Sequence, residues 1–181
     1  SVRVTDAAGN VSGASSTATV IVDTTPPAVT IAASNNNGTT AIPIANNGSA
    51  NDSTPALSGT TDPGSLVIIS ENNVVVGSVT ASSTGSWSYV STALGEGQHT
   101  FSVTATDIAG NVSPAATVTV NVSLTGPAPV TNLVVTDDVA PVTGPLTSGA
   151  TTNDNTPTLS GGAGTAGNIV TVYDGTTVLG T

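Results

Sequence analysis

Cysteine and lysine are absent from this chain of 181 residues, Arg3 is its one strongly basic residue, and aromatic side chains make up only 2%. Without cysteine there is no disulfide and no thiolate metal site, which suits either a reducing compartment or a bacterial surface protein held together by other means. Eleven acids against one base leave a formal charge of −10. Such a chain has no basic surface to displace phosphate counterions, so nucleic acid and anionic membranes are disfavoured partners. A divalent cation is the natural counter-charge. No apolar run approaches the roughly 20 residues that span a bilayer, and no basic-then-apolar leader opens the sequence. The single histidine, His99, leaves no histidine pair for zinc, and no nucleophile-elbow motif accompanies it. Catalysis is therefore not expected, and His99 reads as a solvated residue where a strand leaves a turn.

What the chain does contain is a repeat. Thr5-Asp6-Ala7-Ala8-Gly9-Asn10-Val11-Ser12 returns as Thr106-Asp107-Ile108-Ala109-Gly110-Asn111-Val112-Ser113, 101 residues later. Asn51-Asp52-Ser53-Thr54-Pro55 returns as Asn153-Asp154-Asn155-Thr156-Pro157, 102 residues later. The period implies a tandem array with a unit of about 100 residues. Residues 1–23 then carry the last strands of one repeat, 24–124 a complete repeat, and 125–181 the first half of a third, so that the sequence reads as a piece of something longer. Asp23-Thr24-Thr25-Pro26-Pro27 is a stiff connector, because two prolines cannot sit in a central strand.

Period-two alternation is the only secondary-structure signal, and no segment has helical periodicity. In residues 1–22, Val2 and Val4 and then Thr17 to Val22 predict two strands around the Gly9-Asn10 turn. In the complete repeat, seven strands are predicted, near 28–32, 55–59, 66–69, 74–79, 86–89, 99–106 and 117–122. Asp62-Pro63-Gly64, Glu71-Asn72-Asn73 and Gly95-Glu96-Gly97 supply turn chemistry between them. Residues 34–53 form a long polar loop in which Ala41-Ile42-Pro43-Ile44 is an edge segment held off the sheet by its proline. Phe101, Val103 and Ala105 point inward, as do Val118, Val120 and Val122, and Trp87 is the candidate centre of a core that must otherwise be built from Val, Ile, Leu and Ala. Seven short strands in about 100 residues fit an Ig-like antiparallel β-sandwich, all-β and repeated in tandem.

The motifs Thr-Asp-x-Ala-Gly-Asn-Val-Ser at 106–113, Asp23-Thr24-Thr25-Pro26-Pro27, and Thr54-Pro55-Ala56-Leu57-Ser58-Gly59-Thr60 followed by Asp62-Pro63-Gly64 share an order and a spacing. In these the chain resembles the bacterial Ig-like repeats that form the stalks of giant, type I-secreted, RTX-type surface adhesins and biofilm-associated proteins. The resemblance implies an extracellular extender on the bacterial surface, with neighbouring repeats of the same chain as partners and calcium ions near the domain junctions. Two positions depart from the pattern. Ser123-Leu124-Thr125-Gly126 stands where the first junction has Asp23, and Gly164-Thr165-Ala166-Gly167 replaces the Asp62-Pro63-Gly64 turn. The second junction is thus expected to bind calcium differently or less well, drawing on Asp137-Asp138 and Asn153-Asp154.

Calcium takes roughly 6 to 8 oxygen ligands and tolerates few cationic competitors. In an Ig topology the second-to-third and sixth-to-seventh strand loops lie where the chain enters the domain, which gathers Asp62, Asp107 and Asn111 beside Asp23. Asp6 and Asn10 are the counterparts of Asp107 and Asn111, and Asp137, Asp138 and Asp154 complete the candidate metal ligands. The competing reading is that Asp and Asn sit in these turns to cap their own backbone amides. Two other functions remain open: a ligand-binding module whose 34–53 loop contacts a glycan or protein, and an accessory domain of a secreted enzyme.

Overall fold

The apolar–polar alternation along 97–122 becomes the centre of the fold. The structure, a computed structural model, describes residues 1–38 and 40–181, and among them there are strands and turns but no helix. It divides into two units, Ser1–Leu124 and Thr125–Thr181. The first contains β1 (Ala32–Asn35), β2 (Ile42–Ile44), β3 (Gly48–Ala50), β4 (Ala56–Thr60), β5 (Leu66–Glu71), β6 (Val74–Thr80), β7 (Ser86–Val90), β8 (Gly97–Thr106) and β9 (Ala116–Val122). One sheet has the order β2-β1-β4-β7 and the other β3-β9-β8-β5-β6. All pairs are antiparallel except β3 with β9. This is the expected sandwich.

Strict alternation sends one row of side chains from each strand between the sheets. Val67 and Ile69 of β5, Phe101, Val103 and Ala105 of β8, and Val118, Val120 and Val122 of β9 face Ala33, Leu57 and Trp87 of the other sheet, and all are buried. Each large apolar side chain fully removed from water contributes about 1.5–3 kcal/mol. Trp87 lies in the core, as its inward register requires. Tyr89, two residues on, closes the gap between the sheets at one edge. A register shift in the β5–β6 pair leaves Val76 without a partner on β5, and the Val76 carbonyl accepts a 2.9 Å hydrogen bond from the Tyr89 hydroxyl. Gly77 makes room for that ring, since a Cβ there would lie 2.5 Å from Tyr89 Cε2.

Three expectations are corrected. The first strand begins at Ala32 rather than near Ala28; residues before it run close to β4 through Thr30, whose amide donates to the Thr60 carbonyl at 2.9 Å. The polar stretch 34–53, of which Thr39 lies outside the described residues, is not one loop. It supplies the edge strand β2 and also β3, whose approach to β9 is fastened by side-chain amides: Asn46 Oδ1 accepts from the Thr119 amide at 2.8 Å, and Asn121 Nδ2 donates to the Asn47 carbonyl at 2.7 Å. Period-two reading missed β3 because Gly48-Ser49-Ala50 carries no large apolar residue. Finally, residues 1–22 form no strands, only a Thr5–Val11 bridge. Val20, Ile21 and Val22 are at least 80% exposed, and a strand that buries nothing has little to offset its ordering entropy.

The second unit contains β10 (Thr131–Asp137), β11 (Gly144–Leu146), β12 (Thr158–Gly162), β13 (Val172–Asp174) and β14 (Thr177–Gly180). Its sheet order β11-β10-β12 repeats that of β2-β1-β4. Ala33 stands opposite Ile44 and Leu57, and Val135 stands opposite Leu146 and Leu159, 102 residues further on in each case. The same sequence period thus produces the same register. β13 and β14 form a hairpin whose turn carries Asp174-Gly175, with Gly175 at φ 57°.

Candidate functional site

The turn after β8 is built by its own side chains. Asp107 Oδ1 accepts from the Asn111 amide at 2.9 Å and Oδ2 from Asn111 Nδ2 at 2.9 Å. Gly110, at φ 95°, takes the left-handed position that a side chain would strain. The Asp6 turn repeats this arrangement: Oδ1 accepts from the Ala8 and Asn10 amides at 2.9 and 2.8 Å, and Oδ2 from Asn10 Nδ2 at 2.8 Å. One geometry in two different surroundings means that the local sequence sets it. In both turns the asparagine side-chain amide is the main cause holding the aspartate below its ordinary pKa.

The sheet register brings the other candidates to the same end. Leu66, at the start of β5, pairs with Thr106, at the end of β8, so the 61–65 turn carrying the exposed Asp62 adjoins the 107–111 turn. From the connector, the Asp23 carbonyl accepts a 3.2 Å hydrogen bond from Asn111 Nδ2, across 88 residues of sequence. Asp23 Oδ1 meanwhile accepts from the Thr25 amide at 3.0 Å. The Asp23 backbone carbonyl and the Asp107 carboxylate are therefore brought together around the Asn111 side-chain amide, while the Asp23 carboxylate caps its own turn. Among the described residues there is no group of three or more His, Cys, Asp or Glu that could hold a metal ion. The donors present are carboxylate and carbonyl oxygens with no lysine in the chain, which fits a hard cation in kind.

In the second unit, Asp137 and Asp154 are only 2% and 5% exposed, while Asp138 is exposed. Asp137 Oδ2 accepts from Thr152 Oγ1 at 2.6 Å and Oδ1 from the Val139 amide at 2.9 Å. Asp154 Oδ1 accepts from the Thr156 amide at 2.7 Å, and Oδ2 from the Asp138 amide at 3.3 Å. The Thr156 amide is the largest influence lowering the Asp154 pKa, against the opposing effect of burial. These carboxylates tie the end of β10 to the loop before β12.

The first unit contains the same tie, and sequence reasoning did not single it out. Asp52, 3% exposed, accepts from the Thr54 amide at 2.8 Å and from the Asn36 amide. The signal was available, since Asn51-Asp52-Ser53-Thr54-Pro55 is half of the pair that revealed the period. A further correction concerns His99, which is not a solvated residue: its side chain is 14% exposed, and Nδ1 lies 2.7 Å from Glu71 Oε1.

Asp6, Asp107 and Asp154 all have folded-state pKa values below 3.8. The stability each contributes is present above that unfolded value and lost as pH falls through the lower folded one. Chemical denaturation followed between pH 5 and 2 is expected to show stability falling below about pH 4, with a shallower fall in Asp107→Asn. Parallel profiles for the two proteins would show that this carboxylate adds nothing.

A family model described as bacterial Ig-like domain matches residues 25–123, which enclose β1 to β9. No curated protein and no solved structure matches the chain.

Proposed function

We propose, for a chain that belongs to the bacterial Ig-like domain family, a structural role as a spacer made of tandem repeats in an extracellular surface adhesin, supporting adhesion or biofilm formation. The module is not an enzyme. In this reading residues 1–23 close one repeat, 24–124 form a complete one, and 125–181 open the next. Calcium stiffens the junction at which the connector enters the complete repeat.

The observation that carries this reading is the Asn111–Asp23 hydrogen bond beside the Asp107 carboxylate. It holds the connector against the domain, and the Asn111 amide donates to two oxygens of the kind a cation bridges. Asp23, Asp107 and Asn111 would hold the ion, with Asp62 on the adjoining turn. When bound, calcium would supply the positive charge that eleven acids and one base leave unmatched. Binding that favours the ordered junction over the flexible one shifts the population toward the ordered form. The ligand-binding alternative loses support, because much of its 34–53 loop is committed to sheet edges as β2 and β3.

Calorimetric titration of calcium into a chain carrying all three repeats in full tests the proposal. Saturable heat that weakens in Asp23→Asn and in Asp107→Asn is expected. Absence of heat in the unsubstituted chain would leave the spacer role without its ion.

A further inference from the structure

The inward rows of β5 and β8 do not end in apolar residues. Along β5 the row runs Val67, Ile69, Glu71, and along β8, read toward its start, Ala105, Val103, Phe101, His99. Glu71 stands opposite Phe101 in the register, so the acid and the imidazole close the end of the core remote from the Asp107 turn. Both are shielded, with side chains 18% and 14% exposed.

Both ring nitrogens of His99 face acceptors. Nδ1 lies 2.7 Å from Glu71 Oε1, and Nε2 lies 3.0 Å from the Gly95 carbonyl. A carbonyl can only accept, so Nε2 must carry a proton. A neutral imidazole has just one N–H, which leaves nothing between Nδ1 and an ionised carboxylate. Satisfying both bonds requires one proton more than a neutral histidine beside a carboxylate provides. Gly95 begins the turn whose next residue, Glu96, accepts the Leu124 amide through Oε1 at 2.8 Å. Leu124 is the last residue of the first unit.

We propose that His99 is a proton-operated latch: the imidazolium, held between Glu71 and the Gly95 carbonyl, fixes the Gly95-Glu96-Gly97 turn and through it the anchorage of Leu124. The ionisable groups around it are all acidic. Glu71 faces it from β5 and Glu96 belongs to the turn it holds. Asp52 lies in the loop joined to the 91–96 segment by the 2.8 Å bond from the Leu94 amide to the Ser53 carbonyl, and is itself occupied by Thr54 and Asn36. On β9 the residues alongside, Val120 and Asn121, do not titrate. Because the latched form binds an additional proton, its stability falls as pH rises.

His99 is the only histidine, so nitrogen NMR of the full chain gives one imidazole pair of signals. Both nitrogens are expected to be protonated in the folded protein at pH 6.5. Amide exchange at Leu124, corrected for its intrinsic pH dependence, is expected to lose about tenfold protection between pH 5 and 8, the effect of losing one hydrogen bond to a charged group. Glu71→Gln and His99→Gln should each flatten that profile. A neutral tautomer at pH 6.5, or a flat Leu124 profile in the unsubstituted chain, would overturn the latch; so would His99→Gln keeping the full pH dependence. Should His99→Gln fail to fold, the imidazole spectrum and the Glu71→Gln profile still decide it.

Discussion

Phe101→Ala is expected to destabilise the first unit by about 3–5 kcal/mol in urea denaturation. Phe101 is the only phenylalanine in the chain and is fully buried. It sits in the central strand of the five-stranded sheet, opposite Val118 on one side and Glu71 on the other. Its neighbours are held in two hydrogen-bonded ladders and cannot collapse into the space, so the transfer term and most of the cavity term are both lost. Since small domains are stable by only about 5–15 kcal/mol, this single truncation removes a large share. A loss below about 1 kcal/mol, the scale of a surface change, would place Phe101 outside the core.

Gly59→Ala is expected to be the next most damaging change, for the opposite reason. Gly59 pairs with Trp87 across β4 and β7, and a Cβ on it would lie 2.9 Å from Trp87 Cζ2 and collide with the Thr30 carbonyl. Neither partner can yield. Thr30 is tied to Thr60 by its amide and hydroxyl, at 2.9 and 3.0 Å, and Trp87 is packed in the core. Overpacking of this kind costs about 1–3 kcal/mol and sometimes more. The displaced element should be the segment before β1, so exchange at the Thr30 amide should rise more than exchange within β8. An unchanged melting temperature would mean that this close approach does not exist in solution.

Most of this fold was legible from residue spacing, because alternation and register are the same fact seen in sequence and in space. Phe101, Val103 and Ala105 could face only one way once Thr100, Ser102 and Thr104 were placed outward. β3 was illegible since its position is decided by the Asn46 and Asn121 side chains, and no period records an amide reaching across 73 or 74 residues. The same limit applied to the site. The Asp107–Asn111 turn is local, and its repeat at Asp6–Asn10 made it visible. The approach of Asp23 to Asn111 depended on topology. The His99–Glu71 pair is a diagonal contact between strands 28 residues apart, so a lone polar residue beside a turn looked solvated when it was closing the core.

The central claim, that ion binding and order at the entry junction are linked, is tested most directly by melting the chain with all three repeats complete in calcium, in magnesium and in chelator. Linkage predicts a melting temperature that climbs with calcium concentration beyond saturation of the site, and climbs less in Asp23→Asn and Asp107→Asn. Superimposable melts in all three conditions would contradict it and reduce Asp23 and Asp107 to residues that cap their own turns.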